Sequence, residues 1–250
     1  MIHSFHLAQV PARVGAAVLL RPRTPATVPG LDHLECLSLM RLGAPVVSPE
    51  RLQLRRLAVF AQWRDEDALV RFLERDPLGQ RLDAGWHVRL EFVRRWSTIA
   101  AFDGLPARTG TLEQDEPVVA VTLARMKIPE IPRFLHHGRP VERLVRDHPG
   151  VTLAAAALRP PRTISTFSIW RSVREMVEMV HGRSEVPGPD RHSAAMRERE
   201  RRDFHHEFAT YRFRPLSEHG SWLGRSDLVP WSDPASSSAS PSRIPSGRRT

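Results

Sequence analysis

The chain has 250 residues, 41% of them hydrophobic, enough to bury a core in one large domain or two small ones. Its formal charge of +9 is carried almost wholly by arginine, Lys127 being the only lysine, so the balance alone does not point to a polyanionic partner. The single Cys36 excludes an intramolecular disulfide and a cysteine-based zinc site and suits a reducing, cytoplasmic setting, while the apolar run at residues 14–20 lacks the basic start of a signal peptide and the length of a membrane span.

In chain order, residues 3–10 read as a strand and residues 12–20 as a helix with Val14, Ala17 and Val18 on one face. Residues 34–42 and 56–63 are strand candidates separated by a loop containing Gly43, Pro45 and Pro49, and Asp65 is a good N-cap for a helix over 66–74. Trp86, Val88, Leu90 and Phe92 then alternate with His87, Arg89, Glu91 and Val93, the period-two signature of a strand with one buried face. Gly104, Pro106, Gly110 and Pro117 mark a linker over 101–117.

The second half repeats the order. Residues 118–126 form a strand, 129–146 a helix broken at Pro140, 151–158 and 163–170 two strands, 173–181 and 192–202 two helices, and 204–213 a last strand. One constant shift lays Phe60 over Phe167, Trp63 over Trp170, Arg64 over Arg171 and Val70 over Val177. The expected fold is therefore α+β: tandem ferredoxin-like βαββαβ repeats, residues 1–100 and 118–216, forming a pseudo-dimeric α+β barrel whose two bare sheet faces enclose a ligand cavity. Residues 217–250, and above all the Ser, Pro and Arg of 232–250, read as a disordered tail.

No GxGxxG, GxxxxGK[ST], GxSxG, CxxC or HExxH motif occurs, which removes the recognisable phosphate-cradling, nucleophile-elbow and zincin chemistries. The histidines are the remaining reservoir of reactive groups. His136 and His137, adjacent on a helix, point apart and do not share a metal easily. His205 and His206, adjacent on a strand, face opposite sides, and His206 shares its face with Phe204 and Phe208, which makes it the candidate cavity base. His192 follows a Gly/Pro loop and opens a helix, where a neutral imidazole suits an axial iron ligand or a base. Arg197, Arg199, Arg201 and Arg202 alternate with Glu198 and Glu200, a solvated helix face rather than a nucleic-acid stripe, so no nucleic-acid partner is expected.

The run Thr166-Phe167-Ser168-Ile169-Trp170, then His192 with Ala194, Ala195 and Met196, then Phe204, Glu207, Tyr211 and Phe213 resembles the spheroidene monooxygenase family of carotenoid biosynthesis. Ile131-Pro132-Arg133-Phe134, Pro149-Gly150-Val151, Val28-Pro29-Gly30 and Trp86 extend the similarity across most of residues 3–215. The resemblance implies an oxygen-dependent oxidoreductase of dimeric α+β barrel fold that uses haem and acts on an apolar polyene. It makes His192 the proximal haem ligand and places Trp170 and Phe167 along the pocket, with molecular oxygen as co-substrate and an unidentified electron donor as partner. Gly188-Pro189-Asp190-Arg191 departs from the family pattern. A cofactor-free monooxygenase of similar fold, with His206 or His192 as base, and a non-catalytic apolar-ligand-binding barrel are the alternatives.

Overall fold

The computed structural model describes residues 1–45 and 48–231. Each half follows the expected order. The first comprises β1 (Ile2–Gln9), α1 (Ala12–Leu20), β2 (Leu31–Met40), β3 (Gln53–Trp63), α2 (Glu66–Arg75), α3 (Pro77–Asp83) and β4 (Trp86–Trp96). The second comprises β5 (Val118–Met126), α4 (Ile131–Asp147), β6 (Val151–Arg159), β7 (Thr163–Trp170), α5 (Val173–Val180), α6 (Arg191–Arg201) and β8 (His205–Gly220).

The eight strands close into one barrel in the order β1-β3-β2-β6-β7-β5-β8-β4, so that each half contributes a four-stranded antiparallel sheet with its first strand between its third and fourth. The halves meet at two seams. β2 and β6 pair only from Ser38↔Leu158 to Met40↔Ala156, whereas β4 and β8 pair from Trp86↔Gly220 to Trp96↔Thr210. Closure through these seams leaves no strand without a partner on both sides, although β2 and β6 share only three residue pairs. Local signals set the helix starts: Asp65 accepts from the Ala68 amide at 2.8 Å, and Ser172 Oγ accepts from the Glu175 amide at 3.2 Å while lying 3.1 Å from the Glu175 carboxylate, to which it donates.

The barrel interior is full. Alternate residues of every strand point inward, and Phe5, Phe60, Trp86, Phe92, Phe167, Tyr211 and Phe213 pack there with Leu7, Val88, Leu90, Val121 and Ile169. Phe5 and Phe167, one from each half, stack with centroids 3.6 Å apart. Large aromatic side chains from both halves thus occupy the space between the two sheets where a ligand cavity was expected.

Three other expectations change. The stretch 101–117 is more than a linker, since Phe102 and Leu105 are buried in the barrel cluster and the Thr109 amide bonds the Val93 carbonyl. Residues 217–231 are not tail: β8 runs to Gly220, and the Glu218 carboxylate accepts from Trp86 Nε1 at 2.6 Å and from the Leu228 and Val229 amides at 2.8 Å, seating both side chains on the barrel cluster. Helix α4 runs unbroken through Pro140, which is exposed, while Leu135 and Leu144 on either side are buried and hold the helix across the missing hydrogen bond. The reading of 232–250 as a tail lies outside the described residues. No helix among the described residues is long and apolar enough to cross a membrane.

Candidate functional site

The halves differ in what fills the space between sheet and helices. In the first, the outward side chains Leu34, Cys36, Leu57, Val59 and Trp63 form one buried cluster with Leu69, Phe72 and Leu82 of the helices. In the second, outward positions carry short side chains: Ala120 and Thr122 on β5, Ala154 on β6, Thr166 and Ser168 on β7 and Thr210 on β8. Short side chains do not reach the helices. The core there splits into one cluster around Met126, Ile164 and Phe204 and another around Leu144, Trp170 and Met176. A cavity of about 570 Å³ lies between them, within the usual range of about 300–1,000 Å³ for ligand sites.

Its walls are mainly apolar, with Phe134 and Val141 from α4, Met176 and Met179 from α5, and Ala195 and Met196 from α6. Helix α6 has no buried residue, so packing alone does not hold it. Ion pairs do: Arg133 of α4 bridges Glu198 of α6, and Glu130 receives both Arg133, at 2.7 Å, and Arg202. The roof of the cavity is thus an electrostatically tethered helix.

His192 lines this cavity. Its Nδ1 lies 3.1 Å from the Val180 carbonyl oxygen, which can only accept, so Nδ1 carries the proton and Nε2 keeps a lone pair. Burial holds its pKa below the usual imidazole value, favouring that neutral form. Trp170 also lines the cavity, fixed by donation from Nε1 to Ser168 Oγ at 2.9 Å. Phe167 borders it, but its ring turns into the barrel against Phe5.

His206 does not enter the cavity: it is exposed, and His205 lines the wall instead. The cause is a bulge. Arg125 pairs with Glu207 and Met126 with His205, so His206 is the extra residue of β8 and the alternation of faces shifts at that point. His205 is buried, its Nδ1 2.9 Å from Asp203 Oδ1, and its Nε2 has no partner among the described residues. Burial lowers its pKa while Asp203 opposes the shift, leaving it below the ordinary value. Of the adjacent pair on α4, His137 reaches the cavity and His136 is exposed.

Four histidines thus line the cavity, and the exposed His181 among them has its Nδ1 2.8 Å from the Val177 carbonyl oxygen. Two of the four, the half-buried His192 and the buried His205, are neutral imidazoles oriented through Nδ1 by a carbonyl or carboxylate with Nε2 unengaged. That is how metal-ligating and proton-accepting histidines are prepared. No group of three or more His, Cys, Asp or Glu side chains among the described residues is arranged to hold a metal ion. Ligation by a single imidazole, as in a haem protein, is the metal chemistry these donors fit.

No protein-family model and no curated protein matches the sequence. Similar solved structures include an aldoxime dehydratase in complex with butyraldoxime (8% identity, TM-score 0.47, covering 86% of this chain and 79% of the other). They also include an anthrone oxidase-like protein (15%, 0.32, 87% and 92%) and a monooxygenase-like protein from Listeria innocua (10%, 0.28, 86% and 96%). At these TM-scores the likenesses carry no argument about chemistry.

Proposed function

We propose that the protein is a cytoplasmic, oxygen-dependent monooxygenase that takes a hydrophobic substrate into the cavity beneath α4, α5 and α6, with haem held by His192. The observation that carries this reading is the pair of neutral imidazoles, His192 and His205, set with Nε2 unengaged in a mainly apolar cavity. The partnerless buried Nε2 of His205 is the kind of atom a bound group is needed to satisfy.

Haem would supply the redox-active iron that O₂ chemistry requires, with electrons from an external donor. The chain's own contributions are separate. His192, oriented by Val180, would hold the iron through its Nε2 lone pair; Met176, Met179, Met196 and Trp170 would exclude water; His205, oriented by Asp203, would take or hold a proton. The resemblance to the spheroidene monooxygenase family supports a carotenoid or other isoprenoid as the substrate.

The Asp203–His205 pair also supports a second reading, a cofactor-free monooxygenase in which His205 acts as base on a substrate that itself reduces O₂. Absorption spectra of the purified protein titrated with haem separate the two. A Soret band in the wild type that is lost or shifted in His192→Ala, and kept in His205→Ala, is the expected result. A band unaffected by His192→Ala overturns the ligand assignment. No band at all, with O₂ consumption that depends on His205, replaces the first reading with the second.

A further inference from the structure

One end of the cavity is unlike the rest. Arg212 of β8 and Trp96 of β4 line it, and Arg94 is the direct cross-strand partner of Arg212. The Trp96 ring lies against both guanidinium groups, the Arg94 Cζ at 4.5 Å and the Arg212 Cζ at 4.4 Å from its centroid. Arg108 forms a β-bridge to Arg94 on the other side, so three arginines stand in a row across adjacent backbone segments. None of the three makes an ion pair among the described residues.

Two like charges directly opposite each other on a sheet are destabilising, and stacking on an indole offsets only part of the cost. Partial burial sharpens the conflict: burial and the neighbouring Arg94 together pull the Arg212 pKa down to about 10. The cavity does not relieve it. Glu142 is the one carboxylate among the lining residues, and it is engaged by Arg51 at 2.8 Å and by the Gly43 amide at 2.7 Å. Arg199, the other lining arginine, lies over Phe208 with Asp203 at 3.8 Å.

We propose that the ligand of this cavity is an apolar molecule bearing a carboxylate, and that Arg212, with Arg94 beside it and Trp96 between them, receives that carboxylate. The inference rests on reading the cavity as a ligand site, and the carboxylate belongs either to the substrate or to the porphyrin. A guanidinium fork suits a carboxylate bidentately, and a negative charge there cancels the repulsion between the two arginines. The apolar walls take the remainder of the molecule.

The test uses the full chain, with binding read from the change in tryptophan fluorescence, to which Trp96 and Trp170 in the cavity wall contribute. Dodecanoate and 1-dodecanol form one matched pair of probes, and protoporphyrin IX and its dimethyl ester the other. In the wild type at least one acid is expected to bind about ten- to a hundredfold more tightly than its uncharged counterpart, the value of a charge-assisted hydrogen bond. Arg212→Met abolishes that preference without weakening the uncharged probe, Arg212→Lys restores part of it, and Arg94→Met, at an exposed position, reduces it. A preference confined to dodecanoate assigns the subsite to the substrate, and one confined to protoporphyrin IX assigns it to the porphyrin. Equal binding of acid and uncharged probe in both wild-type pairs overturns the inference while leaving the cavity reading intact, as does a preference that survives Arg212→Met in a folded protein. If none of the four probes binds, the cavity reading falls and this inference with it.

Discussion

His3 is completely buried among Phe60, Phe92 and Phe213 inside the barrel, with its cross-strand neighbour Gln62 beside it. Burial, assisted by the nearby N-terminal ammonium group, lowers its pKa from 6.5 to about 3, and burial lowers His87 to about 4. Between pH 6.5 and about 3 the unfolded chain takes up a proton at His3 that the folded chain refuses, so stability falls with pH by about 1.4 kcal/mol per unit in that window and is unaffected above it. His3→Leu should remove that much from the slope of unfolding free energy between pH 6 and pH 4, measured by urea denaturation. Coincident slopes for wild type and variant would contradict it. At this same scale the site was only partly legible. His192 stands out in the sequence because a Gly/Pro loop delivers it to the start of a helix. His205 and His206 do not separate, because the bulge that decides which of them faces the cavity depends on pairing with β5, and one extra residue reverses the alternation. Arg212 and Trp96 carried no signal, being distant in sequence and brought together only by the β4–β8 seam.

Helix α1 lies so close to β3 that a Cβ on Gly15 would stand 1.9 Å from the Leu54 carbonyl oxygen. Gly15→Ala should therefore cost at least about 1–3 kcal/mol in chemical denaturation, although alanine is the better helix former, and a neutral or stabilising effect would show that the helix can retreat. Helix α6 is held the other way, by charge rather than packing. Its amides should exchange faster than those of α2, whose Leu69 and Phe72 are buried, and faster still in high salt, which screens Arg133, Glu198, Glu130 and Arg202. Equal protection of the two helices, insensitive to salt, would refute this. Most elements were legible because periodicity is local: the spans of α1, β5 and β7 agree with the sequence reading residue for residue. Helix α3 was missed even though Asp76 followed by Pro77 is a readable start, with Asp76 Oδ1 accepting from the Leu78 amide at 2.7 Å. The break expected at Pro140 failed because tertiary packing outweighs a single lost hydrogen bond.

The two halves are joined through charge as well as through strands. Glu35 of β2 is completely buried and is bound by Arg125 of β5, by Arg159 of β6 at 2.9 Å and by His33 at 2.9 Å. Burial works against its ionisation, yet His33 and the two arginines outweigh it and hold the carboxyl below the usual range. Glu35→Ala would leave Arg125 and Arg159 uncompensated at the seam and should cost about 3–5 kcal/mol in equilibrium unfolding; a loss under 1 kcal/mol would mean that the cluster is solvated. The tandem repeat and its barrel were legible because element order and two aligned aromatic residues are visible in the chain. The location of the cavity was not. Two bare sheets facing each other suggest a hollow barrel, but whether inward residues fill it depends on the summed volume of side chains from both halves, while the space under α4, α5 and α6 comes from small residues scattered over four strands.

Ala154→Phe places a large side chain in the outer cavity of the second half, away from both histidines in sequence, and so reads whether the ligand binds there. Haem titration followed at the Soret band, with a thermal melt as the control for folding, should show binding in the wild type and none in a variant that melts at least as high. A folded Ala154→Phe protein that binds haem as the wild type does would place the ligand outside this cavity.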